Sequence, residues 1–175
     1  MELRTHAAPD FQDDPAALNE RERASHLLSR LSYGARPGEA DKLIAMGTEA
    51  WLKDQLKQPD SRDPRLKEWL SEYDTLGLTV RECAEFTFTE RDRSKEQTQE
   101  ERRAERLKRR IPLDEVVWST ALRAVYSNRQ ATEVMSEFWR NHLNVSFTKG
   151  QSIYAMVPDY ERSVIRDHVW GSFPE

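Results

Sequence analysis

Ala24, Leu27, Leu28 and Leu31 recur at the i, i+3, i+4, i+7 spacing that gathers one helix face, and the same period returns along most of the chain. The pattern predicts a first helix from Glu20, with Asn19 as its first candidate cap. His26 falls off its apolar face. Tyr33-Gly34-Ala35-Arg36-Pro37-Gly38 then ends the helix with a glycine suited to positive φ and a proline suited to the first turn of the next. Leu43, Ile44 and Met46 give that second helix its inner face, and Gly47 ends it. Thr48 is placed to cap a third helix containing Trp51, Leu52 and Leu56, which Pro59 closes. Three short amphipathic helices joined by tight turns begin a helical bundle, not an alternation of strands and helices.

A further amphipathic segment runs from Pro64 to Leu78, with Leu66, Trp69, Leu70 and Tyr73, and is followed by Val80 to Phe88. Thr87-Phe88-Thr89 has local β character, but one triplet does not make a sheet. Glu90 to Arg110 then carries nine basic and six acidic side chains and almost no apolar residue before Leu107, so it has no face to bury. It reads as a charged, exposed insertion, either a helix supported by the Glu105 to Arg109 pair or a partly disordered segment. Its basic end, 102–110, has phosphate-binding residue types, but interleaved acids and the lack of aromatics disfavour nucleic acid as a partner. Pro112 is expected to restart order, and Val116, Val117, Ala121, Leu122 and Val125 line a helix ending near Ser127-Asn128.

The candidate chemistry lies in the last third. From Gln130 the helical period places Ala131, Val134, Met135, Phe138 and His142 on one side and Glu133, Ser136, Glu137 and Arg140 on the other. His142 thus projects from the apolar face, beside Trp139 and with Asn141 at its edge. After a loop from Phe147 to Val157, a last helix from Pro158 puts Tyr160, Glu161, Val164, Ile165 and His168 on one broad face. Antiparallel packing of the two helices would let His142, Glu161 and His168 converge, as nitrogen and oxygen ligands or as a base with its orienting partner. The candidate catalytic set is therefore His142, Asn141, Glu161 and His168. The competing account is structural: core histidines bonded to a carbonyl or an asparagine, with Arg162 or Arg166 paired to Glu161 to lock helix register.

Composition narrows the class. The chain has 175 residues, 37% hydrophobic and 33% charged, which suits one soluble domain with a real core. A formal charge of -4, from 31 acids against 27 bases, supplies no whole-chain field toward nucleic acid or anionic lipid. The single cysteine, Cys83, allows no internal disulfide and no metal-spacing motif. No run approaches the roughly 18 apolar residues of a membrane span. The polar first residues, about 1–18, read as a mobile lead-in without a signal peptide, which points to the cytoplasm, and 19–175 read as the helical domain.

Two groups of motifs carry a resemblance to a known family. At the start these are Leu27-Leu28-Ser29-Arg30-Leu31-Ser32-Tyr33-Gly34, a helix ending in Met46-Gly47, and Glu49-Ala50-Trp51-Leu52-Lys53-Asp54-Gln55-Leu56. Later come Val134-Met135-Ser136-Glu137-Phe138-Trp139-Arg140-Asn141-His142 and the stretch from Asp159-Tyr160-Glu161-Arg162 to His168-Val169-Trp170-Gly171. In that order they resemble the bacterial domain-of-unknown-function family 1800. Its members commonly continue well beyond this length, so the resemblance implies an N-terminal portion of a larger helical domain. Many members also resemble exported envelope proteins, which leaves export open beside the cytoplasmic reading.

The fold class expected is thus all-α, an irregular multi-helix bundle. Two function classes stand beside it. In one, the domain is part of a hydrolase-like or metal-assisted enzyme, with His142, Asn141, Glu161 and His168 in a polar pocket between the last two helices. In the other, it is a non-catalytic helical scaffold that binds a protein partner through Trp118, Trp139 and Trp170. Neither the cofactor nor the metal, reaction or substrate is specified by the sequence.

Overall fold

A computed structural model describes residues 18–56, 63–88, 98–146 and 150–172. The described residues form a multi-helix, all-α fold with no strand among them. The helices are α1 (Glu20–Leu31), α2 (Glu39–Met46), α3 (Thr48–Gln55), α4 (Pro64–Leu70), α5 (Val80–Thr87), α6 (Gln99–Tyr126) and α7 (Gln130–His142). A C-terminal arm follows: a 3-10 helix (Gln151–Met156), α8 (Val157–Asp159) and a π-helical segment (Tyr160–Arg166).

The N-terminal helices follow the sequence pattern. Asn19 caps α1 by accepting from the Glu22 N–H, and the Glu22 carboxylate accepts from the Asn19 N–H in return. Ala24 and Leu28 of α1 pack with Leu43 and Trp51 in one core, which α2 and α3 can close because Gly47 turns the chain between them at φ +84°. Thr48 is the first residue of α3 rather than its side-chain cap, and Gly47 holds the cap position. Pro59 lies outside the described residues.

Where it is described, the charged run takes the helical one of its two expected forms. Residues 98–110 are the first turns of α6, which starts on a Thr98/Glu101 capping box and carries the anticipated Glu105–Arg109 ion pair. Residues 89–97 lie outside the described ones. Pro112 does not begin a new helix: α6 continues through it for 28 residues. A mid-helix proline forfeits the bond to the carbonyl four residues earlier, here that of Lys108, at a cost of about 3 kcal/mol. Pro112 is buried with Val116 and Ser119 on the inner side of α6, so packing of that side offsets the missing bond.

The corner between α6 and α7 is built by side chains from far earlier in the chain. Arg36 Nη2 donates to the carbonyls of Val125 (2.7 Å) and Ser127 (3.0 Å). Gln55 donates to the Asn128 carbonyl at 3.0 Å and accepts from the Ala131 N–H at 3.3 Å. Arg129 pairs with Asp54, and Asp63 accepts from the Asn128 backbone and side chain. These bonds satisfy the backbone groups that a helix end leaves open.

Candidate functional site

The corner fixes the rotation of α7, and that rotation inverts the expected faces. Thr132, Glu133 and Ser136 are buried, while Phe138 and His142 are exposed. The polar stripe Glu133, Ser136, Glu137, Arg140 faces the rest of the protein because charged partners await it there. Tyr33 bonds to Glu137, Arg140 holds Glu161, and Arg166 holds Glu133. Ala131 stays in the core, but the Phe138–His142 end of the apolar stripe is left on the surface, where His142 stacks on Phe138 at 5.7 Å between ring centroids and meets Trp139 edge-on at 5.9 Å.

The C-terminal arm corrects the second histidine. Asp167 N–H reaches the Arg162 carbonyl at 3.1 Å, an i to i−5 bond that widens the turn. The buried positions are Glu161, Ile165 and Val169, every fourth residue, and His168 at seven residues from Glu161 falls outside the buried set. His142 and His168 therefore do not project into the interior with Glu161. Among the described residues no three His, Cys, Asp or Glu side chains gather as a group that could hold a metal ion, and His142 and His168 are exposed where Glu161 is buried.

Glu161 and Asn141 do reach one place. A cleft of about 250 Å³ opens between α6, the end of α7 and the C-terminal arm. Val116 and Val117 form one wall and Ile153, Met156 and Val157 the other. Arg140, Asn141, Asn144, Tyr160 and Glu161 supply the polar positions. The Arg140 fork is engaged, Nε with Oε2 of Glu161 at 2.9 Å and Nη2 with Oε1 at 2.8 Å. Burial works against the Arg140 charge, but the Glu161 carboxylate more than offsets it and raises the guanidinium above its usual range. Tyr160 donates to the Leu143 carbonyl at 2.8 Å, and burial with the Glu161 charge raises its phenol as well. Asn141 and Asn144 are exposed and have no hydrogen-bond partner among the described residues.

Arg140, Asn144 and Tyr160 were not among the residues singled out for chemistry. Their signal was the charge alternation Glu133, Glu137, Arg140 along one helix stripe, which marks a face seeking charged partners. The network continues beyond the cleft: Glu161 Oε1 lies 3.8 Å from Arg166 Nη1, and Arg166 in turn holds Glu133 at 2.8 and 2.9 Å.

Of the three tryptophans suggested as anchors, Trp118 is 63% exposed, whereas Trp139 is half-buried and Trp170 donates its indole N–H to Thr132 at 3.3 Å. Val117, Trp118 and Val125 leave an apolar stripe of α6 open to solvent. No described helix is long and apolar enough to cross a membrane.

An all-helical domain with an apolar cleft closed at its polar end by an arginine–glutamate clasp is the class of protein these features define. Residues 26–175 match the family described as "protein of unknown function (DUF1800)", and the chain belongs to that family. No match is found among curated proteins or among solved structures.

Proposed function

We propose that the domain is a protein-interaction module whose cleft receives one large apolar side chain of an extended peptide segment. The observation that carries this is the cleft itself: its walls are apolar, its volume of about 250 Å³ suits a single aromatic or branched side chain, and it is lined by two exposed asparagine amides with no hydrogen-bond partner among the described residues. Asn141 and Asn144 each offer a donor and an acceptor, which is what a peptide backbone beside an anchored side chain requires. The exposed Val117 and Met156 at the mouth add apolar surface around the anchor.

The hydrolase-like reading has one observation in its favour, a buried carboxylate, Glu161, at the cleft beside a π-helical turn. Against it, both Glu161 oxygens accept from Arg140 and the Thr120 hydroxyl bonds to the Val116 carbonyl, so Glu161 and Thr120, which both line the cleft, do not form a base–nucleophile pair.

Methyl NMR of the Met156 side chain during titration with N-acetyl-tryptophanamide tests the proposal. Saturable shifts are expected, and Val117→Trp, which fills the exposed mouth, should abolish them. A tryptophan-anchored peptide should bind more tightly than the amide and lose that advantage in Asn144→Ala. Met156 signals indifferent to both ligands would overturn the proposal. So would hydrolysis of ester or peptide substrates that Glu161→Gln abolishes while the helical spectrum is retained, which favours the enzyme.

A further inference from the structure

A second cavity, of about 360 Å³, lies between α4, the C-terminal end of α6, the start of α7 and the π-helical segment. Four cations line it, Lys67, Arg123, Arg129 and Arg166, with Asp63 and Glu133. The carboxylates are committed elsewhere. Glu133 is held by both terminal nitrogens of Arg166, Asp63 is bonded to Asn128, and Arg129 has Asp54. Among the described residues, counting Asp54 and the Arg140–Glu161 pair that borders Arg166, five positive charges meet four negative ones, and one positive charge is left over.

The geometry assigns that charge to Arg123, and we infer that this cavity binds a small oxyanion group, a carboxylate or a phosphate, in the fork of Arg123. Arg123 is part-buried and lines the cavity, and its guanidinium has no hydrogen bond or ion pair among the described residues. Burial, joined by the like charge of Arg166, pushes it down to about 10. A part-buried guanidinium presents five donors in a rigid plane, and an acceptor entering the cavity completes the set that the described residues leave open. Two parallel N–H to oxygen bonds to an oxyanion satisfy that fork and neutralise the surplus charge. Lys67, exposed and without a partner among the described residues, gives an entering anion its first attraction. The site is separate from the cleft at Asn141 and Asn144 and does not depend on what the cleft binds.

The test is thermal unfolding of the whole chain in inorganic phosphate or acetate, with chloride holding ionic strength constant, together with calorimetric titration of each anion. Phosphate, acetate or both should raise the wild-type midpoint in a saturable way. Arg123→Met removes a part-buried charge that no described residue pairs, so in chloride its midpoint should equal or exceed that of the wild type, with no gain from either anion and at least about tenfold weaker binding. Lys67→Met, an exposed change that keeps the fold, should weaken binding about threefold or more without moving the chloride midpoint. It reads the same site if Arg123→Met does not fold. The phosphate and acetate arms distinguish the two oxyanions, and success of either supports the site. A wild-type midpoint that neither anion moves, a gain that Arg123→Met shares, or binding unaffected by Lys67→Met overturns the inference.

Discussion

Arg166 and Glu133 face each other as a doubly bonded pair, Nη1 to Oε2 at 2.8 Å and Nη2 to Oε1 at 2.9 Å, with side chains only 11% and 7% exposed. Burial alone would disfavour the Arg166 charge, yet its bonds to Glu133 raise the guanidinium above its ordinary range. Glu133→Ala strands that charge next to Arg123 and should cost about 3–5 kcal/mol in urea unfolding. The double change Glu133→Leu with Arg166→Met should cost less than Glu133→Ala alone, since no charge is then stranded. A loss under about 1 kcal/mol for Glu133→Ala would show the pair to be ornamental.

Gln55 is expected to behave as a fastener rather than as a core filler. Its amide bonds both Asn128 and Ala131 at the α6–α7 corner. Gln55→Ala leaves a buried N–H and a carbonyl unanswered and should destabilise by about 1–3 kcal/mol. Amide exchange should rise first at Ala131. Unchanged protection there would refute the assignment.

Cys83 has no exposed surface, and burial, followed by the Glu115 and Asp159 charges, pushes its thiol up to about 11. The folded protein therefore holds the thiol proton more tightly than the unfolded chain, whose cysteine titrates near about 8.5. The resulting contribution to stability is fully present below the unfolded value and lost as pH rises toward about 11. Cys83→Ser should flatten that alkaline decline, and iodoacetamide at pH 8 should modify the native protein at the rate of its unfolding. Rapid alkylation without unfolding would contradict the burial.

His142 and His168 are both exposed, so neither carries the fold. His142→Ala and His168→Ala should each change unfolding free energy by no more than about 0.5 kcal/mol. A loss of several times that from either would place its imidazole inside after all.

Sequence periodicity revealed α1 to α3 because their apolar residues are also their buried ones: Ala24, Leu28, Leu43 and Trp51 form one core. The same logic misplaced α7. There Glu133 and Arg140 find charged partners 33 and 21 residues further on, and those partners outweigh the pull of Phe138 toward the interior. A period alone cannot reveal such a rotation, because it reports which residues share a face and not what the face meets. His168 falls elsewhere for a local reason, since the seven-residue spacing from Glu161 shares a face on α-helical winding, whereas the arm is π-helical from Tyr160 to Arg166 and His168 lies in the turn that follows. Of the candidate site, Asn141 and Glu161 were legible and reach the cleft, while its apolar walls come from elements distant in sequence.

The α6–α7 corner also dictates when this protein can become itself. Its fastenings run from Arg36 across 89 and 91 positions, from Gln55 across 73 and from Asp63 across 65. Closing such distances exacts chain entropy before any bond repays it, which slows folding relative to a bundle of neighbouring helices. During synthesis, α1 to α3 can close their own core, but Arg36 and Gln55 have no corner to fasten until the segment around Gln130 has left the ribosome. Until then Arg36 and Gln55 extend into water, and the nascent chain carries a half-built seam that its own later residues must reach in time.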